Sequence, residues 1–119
     1  MNGIGVYQET AVATQNQGRL IVILYEGAIR FLTQAVEDLE QRDYAAKGHN
    51  IQRAADIIYE LNTVLNMEQG GQIAHNLRAL YNFMLRQLNE ANLHKDAQKI
   101  QEVIKLLKEL NESWRAITH

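Results

Sequence analysis

Apolar residues recur at steps of three and four along most of the chain, the spacing that lines one face of an α-helix. The first such run carries Leu20, Ile21, Leu24, Ala28, Phe31, Leu32, Ala35 and Leu39. Asn16 is a favourable N-cap for it, and the pattern fades near Gln41. Asp43 is placed to cap a second helix, in which Ile51, Ala54, Ile58, Leu61 and Leu65 alternate in three- and four-residue steps. Gly70-Gly71 interrupts the pattern as a helix stop. A third run then carries Ile73, Leu77, Leu80, Met84, Leu88 and Ala91, and Asp96 offers a cap for a fourth through Ile100, Val103, Leu107, Leu110, Trp114 and Ile117. The spacing predicts helices over about 17–41, 44–66, 71–93 and 97–117, and no segment alternates in the manner of a strand. Residues 1–15 lack the period and are expected to form an N-terminal arm, with 16–119 as one domain. Four helices of similar length and short connections predict an all-α, antiparallel up-down-up-down four-helix bundle.

The apolar residues outnumber what one seam per helix needs. Ile57 and Val64 lie off the second seam, Tyr81, Phe83 and Leu85 flank the third, and Leu106 stands apart from the fourth. Two explanations are open: wide core-facing stripes, or an outer apolar groove that receives amphipathic segments of a partner.

Composition narrows the chemistry. Twelve Lys and Arg against fourteen Asp and Glu leave a net charge of −2, without the basic surplus that nucleic-acid binding draws on. The chain has no cysteine, which removes disulfides and thiolate metal sites. It has no proline either, in keeping with long unbroken helices. The longest apolar run, residues 20–25, predicts no membrane insertion, and the N-terminal residues lack the form of a secretory signal. Inward-pointing Glu-x-x-His pairs build the di-iron sites of some bundles. Here His49, His75, His94 and His119 follow Ala46, Gln72, Ala91 and Ala116 at that spacing. Neither His49 nor His75 has the Lys and Gly two and three positions on that mark histidine phosphotransfer domains. No nucleophile elbow or phosphate loop is present. These motifs point to no cofactor or metal; a phosphotransfer or metal-dependent bundle and a structural homo-oligomer stay open as alternatives to an interaction protein. Gly27, inside the first helix, points to close packing by a neighbour.

Three ordered motifs resemble the family of flagellar secretion chaperones called FliS. The first comprises Tyr7, the approach TQNQGRL over 14–20, and LIVILYEGA over 20–28. The second is LNMEQGGQIAHNLRALYNFM over 65–84, and the third is ANLHKD over 91–96, followed by Trp114. Asn16-Gln17 replaces the family's Ser-Pro, Asn66 and Asn82 stand where Asp is frequent, and Gln72 where Glu is, so charge is withdrawn from the corner between the second and third helices.

The resemblance implies a helical bundle without catalytic activity in the bacterial cytoplasm. It would bind the C-terminal segment of flagellin, disordered before assembly, and so prevent premature polymerisation. It would also help deliver that client to a component of the flagellar export gate, with self-association allowed but not required. Tyr7 matches an arm tyrosine associated with covering a groove and with export-gate docking. The candidates for a client groove are Ile57, Leu61 and Val64 with Ile73, Leu80 and Tyr81, each of which competes with a core role. Tyr25, Gly27, Trp114, Asn76 and Asn92 are assigned structural roles.

Overall fold

A computed structural model describes the backbone of residues 3–118 and the side chains of 18–118. It contains four helices: α1 (Gly3–Glu40), α2 (Tyr44–Thr63), α3 (Met67–His94) and α4 (Ala97–Ile117). No strand occurs among the described residues. Each helix packs against two others, α1 on α2 and α4, and α3 on α2 and α4, so the chain order is also the order around the bundle. This is the antiparallel four-helix architecture that the apolar period predicts.

The core follows the seams. Leu32, Ile58, Leu61, Met84, Leu88, Ile100, Val103 and Leu107 are almost wholly removed from solvent. Small residues (Ala28, Ala35, Ala54 and Ala91) are buried among them and let the larger chains interdigitate. Tyr25 of α1 and Tyr81 of α3 reach across the diagonal of the bundle and share a hydrogen bond of 2.5 Å between their hydroxyls. Their rings meet edge to face at 6.4 Å, and the indole of Trp114 lies 6.5 Å from Tyr25.

Two of the three connections use one device. Arg42 and Lys95 adopt left-handed backbone (φ 58° and 55°). The amides of Asp43 and Asp96 then donate back to the carbonyls of Asp38 and Ala91, at 2.8 and 3.0 Å. These six-to-one bonds close the ends of α1 and α3. The same aspartates cap the following helices, Asp43 accepting from the amide of Ala46 and Asp96 from that of Gln98. The sequence therefore needs only two or three residues per connection there.

The connection between α2 and α3 departs from the expected boundaries. α2 ends at Thr63 rather than near 66, and Asn66 turns to extended backbone to cap α3, its side chain accepting from the amide of Gln69 at 2.9 Å. α3 thus begins at Met67, four residues before the expected start. Gly71 does interrupt the helix, at φ 55° and ψ −134°, but one turn after it has begun. The first helix also differs: its backbone is already helical at Gly3, where the period alone gave a start near Asn16. The side chains of the expected arm, Tyr7 included, lie outside the described residues.

Candidate functional site

A groove of about 190 Å³ opens at the end of the bundle where α2 turns into α3. α2 contributes Leu61, Val64 and Leu65; α3 contributes Ile73, Ala74, Leu77 and Tyr81; Ile21 and Trp114 close it from α1 and α4. Asn66 and Gly70 complete the lining, and none of the lining residues is charged. The groove exists because the seams run past the point where four helices can cover one another. Asn66 and Gly70, at the two ends of the turn that precedes Gly71, form one wall of it.

Burial divides the lining into floor and edge. Leu61 is 2% exposed and Tyr81 1%, so both belong to the floor and to the core beneath it. The hydroxyl of Tyr81 is turned away to Tyr25, leaving the groove its ring. Burial raises the pKa of Tyr25, although hydrogen bonds to Tyr81 and Trp114 pull it back. It raises that of Tyr81 further, with the neighbouring Tyr25 adding to the effect. Both phenols are neutral at physiological pH. The edges are different: Val64 is 42% and Ile73 72% exposed, a large apolar surface left to solvent. The groove's volume is of the same order as the ~150 Å³ of a cavity that takes benzene. It fits one bulky apolar side chain, with Val64 and Ile73 ready to pack on the flanks of whatever element carries it.

Four of the sequence candidates therefore meet in one place: Leu61, Val64, Ile73 and Tyr81. Ile57 does not join them. It is half-buried against the core, and its Cδ1 would lie 3.4 Å from a Cβ added at Gly27, so it packs α2 onto α1. Leu80 is half-buried and outside the groove lining. Ile21, Leu65, Leu77 and Trp114 line the groove although their place on the main seams marked them as core. The signal that could have found them is position: each lies near the end of its seam, at the same end of the bundle.

Hydrogen bonds fix the site's surroundings. The Nδ2 of Asn62 donates to Oδ1 of Asn82 at 3.0 Å, tying α2 to α3. The guanidinium of Arg78 donates to the carbonyl of Asn62 at 3.2 Å, near the C-terminus of α2, where the helix dipole favours a cation. At the opposite end of the bundle the buried ammonium of Lys47 donates to the carbonyl and to Oδ1 of Asn92, at 3.1 and 2.7 Å. Burial, and then the charge of Lys95, lower its pKa. Asn92 thus holds α2 to the last turn of α3, a structural role as its motif implies. A second, more open depression on the α1–α4 face is ionic, with Arg115 paired to Glu26 at 2.9 Å beside Arg30 and Lys108. Among the described residues no group of three or more His, Asp or Glu side chains is placed to hold a metal ion, and no helix is long and apolar enough to cross a membrane.

Bundle and groove together define a small all-α protein with an uncharged apolar groove at one end. Comparison with known proteins makes this specific: the family model described as flagellar protein FliS matches residues 1–119, and the chain belongs to that family. It is 43% identical over 111 residues to the flagellar secretion chaperone FliS of Salmonella typhimurium, covering 92% of this chain and 82% of that protein. The FliS of Vibrio cholerae is 35% identical over 115 residues, covering 93% and 85%. That of Bacillus subtilis is 31% identical over 114 residues, covering 96% and 84%.

Proposed function

We propose that the protein is a cytoplasmic export chaperone that binds the C-terminal segment of flagellin, keeps it from polymerising and assists its delivery to the flagellar export gate. The observation that carries this is the uncharged apolar groove with Val64 and Ile73 exposed at its edges. Such a surface is costly on a free monomer and is suited to an amphipathic segment that folds as it binds. The client would seat an apolar side chain over Leu61 and Tyr81 and pack its neighbours on the two edge residues. Hydrophobic burial would offset the cost of ordering the client. No chemical step is required, since release can follow transfer to the next partner.

The test is titration of the protein with a flagellin C-terminal fragment that lacks tryptophan, followed through the fluorescence of Trp114, the chain's sole tryptophan. Ile73→Asp and Val64→Asp each place a carboxylate at an apolar contact and should raise Kd at least about tenfold. Because both positions are exposed, the thermal midpoint should move by no more than about 3 °C. Ile57→Asp is the contrasting variant: it puts a charge between α1 and α2 and should lower stability by about 2–4 kcal/mol. Wild-type affinity in both edge variants sinks the proposal.

A further inference from the structure

The ionic depression between α1 and α4 has a volume of about 450 Å³, within the ~300–1,000 Å³ range of clefts that hold ligands. Three cations, Arg30, Lys108 and Arg115, and two carboxylates, Glu26 and Glu112, line it, which leaves a net charge of +1. Arg115 is tied to Glu26 at 2.9 Å. Arg30 and Lys108 are exposed and form no ion pair among the described residues. Asn111 also belongs to the lining, yet it is only 5% exposed, and its Oδ1 is buried and meets no donor among the described residues. An orphan acceptor at that depth is a standing cost, which an N–H arriving through the depression would remove. A half-turn of the amide about its last side-chain bond exchanges Oδ1 and Nδ2, so the group can turn its acceptor toward a ligand there.

These groups fit a ligand that carries one negative charge beside one N–H. A phosphate group, at about −1.5 to −2, exceeds the charge available. An acidic run would set its further carboxylates against Glu26 and Glu112. The last residue of a polypeptide supplies the right combination, an α-carboxylate next to its own backbone N–H. We propose that the depression holds the chain-terminal carboxylate of the client. Arg30 and Lys108 donate to the carboxylate, Asn111 accepts from the last backbone N–H, and Ile29 packs on the terminal side chain. The proposal rests on the client-binding function above, which concerns a segment ending in such a group, and deepens it by fixing where that segment ends. The two sites are neighbours on α4: Trp114 lines the groove and Arg115 the depression, and consecutive helical residues point ~100° apart. A client leaving the groove has one helix of ~10–12 Å diameter to cross, a span of about three or four extended residues. A carboxylate held there distinguishes the end of a chain from the same apolar sequence inside a longer one.

The test uses the tryptophan-free C-terminal fragment of flagellin in two forms, one ending in a free carboxylate and one in a carboxamide, which removes the charge and keeps every side chain. Both are titrated by Trp114 fluorescence at about 50 mM NaCl, where screening is weak. Amidation should raise Kd at least about fivefold; equal affinities overturn the proposal and leave the client-binding function standing. Arg30→Gln/Lys108→Gln alters two exposed side chains, and circular dichroism should show the bundle intact. This variant should bind the free acid at least about fivefold more weakly and should no longer distinguish it from the amide; a variant that keeps the full preference overturns the assignment to this depression. Asn111→Leu removes the orphan acceptor and should weaken binding of the free acid at least about threefold with the bundle intact; unchanged affinity overturns the part given to Asn111. A fragment that fails to bind the unaltered protein in either form defeats the client-binding function itself, and this inference with it.

Discussion

Tyr25 and Tyr81 place two hydroxyls in the middle of an otherwise apolar core, and the hydrogen bond between them is what makes that arrangement tolerable. Tyr25→Phe leaves the Tyr81 hydroxyl buried without its partner and should cost about 1–3 kcal/mol, read as a fall of several degrees in thermal midpoint. Tyr25→Phe/Tyr81→Phe removes both groups together, so its cost should fall well short of the sum of the single variants. The pair also sets an alkaline limit. Both folded-state pKa values are raised above the unfolded value near 10.0. Below that pH both states are protonated and the contribution is complete; above it the unfolded chain ionises first and stability is lost as pH climbs toward the folded values. Urea denaturation between about pH 9 and 11 should therefore show a decline in stability that is shallower in the doubly substituted protein. An identical slope in the two proteins contradicts the assignment. Because the Tyr81 hydroxyl points away from the groove, Tyr81→Phe should leave client affinity unchanged.

At the scale of elements, backbone conformation decides the corner that builds the groove. Gly71 has φ 55° with ψ −134°, a region that side chains disfavour, yet a Cβ there would meet nothing within 4 Å. Gly71→Ala thus isolates conformational strain from crowding. It should cost about 1–3 kcal/mol, and it should also weaken client binding, since relief of the strain straightens α3 and displaces Asn66 and Gly70 from the groove lining. Arg42 is the reverse case, a side chain held at φ 58° in the α1–α2 connection. Arg42→Gly should stabilise the bundle by about 0.5–1 kcal/mol in urea denaturation, having no partner residue to lose at the groove.

The same corner explains how much could be read in advance. The four helices, their order and the core of α2 and α4 were legible because Ile51, Ala54, Ile58 and Leu61, or Ile100, Val103 and Leu107, repeat a three-and-four spacing that only burial on one face rationalises. Asp43 and Asp96 were legible as caps for the same reason of local chemistry. Ile57 was not separable from Val64, although seven residues put them on one helix face. What distinguishes them is the neighbour each finds, the open backbone at Gly27 for one and the bundle's end for the other. Trp114 and Ile21 looked like core because a seam residue at a bundle end has the same period as one in the middle. Period records which face is apolar; it carries no information about where along the axis the opposing helices stop.

For the whole molecule, the question is whether folding and client capture are separable, and the distribution of buried residues bears on it. The buried apolar core of the described residues extends from Tyr25 to Leu107, with Trp114 packed against it from outside. Every cap and every interhelical hydrogen bond described above also lies within residues 25–115. A chain lacking residues 1–15 should consequently retain its helical bundle, with a single cooperative transition and a thermal midpoint within about 5 °C of the full chain. A loss of cooperativity would show instead that the N-terminal part of α1 belongs to the folding unit. The role that the family resemblance implies for Tyr7 makes a second demand on this truncation. If that segment competes for the client groove or engages the export gate, its removal should alter flagellin affinity, flagellin export, or both, at unchanged stability. Intact stability with unchanged affinity and normal export would leave Tyr7 without a regulatory role, and the chaperone would consist of the bundle and its groove alone.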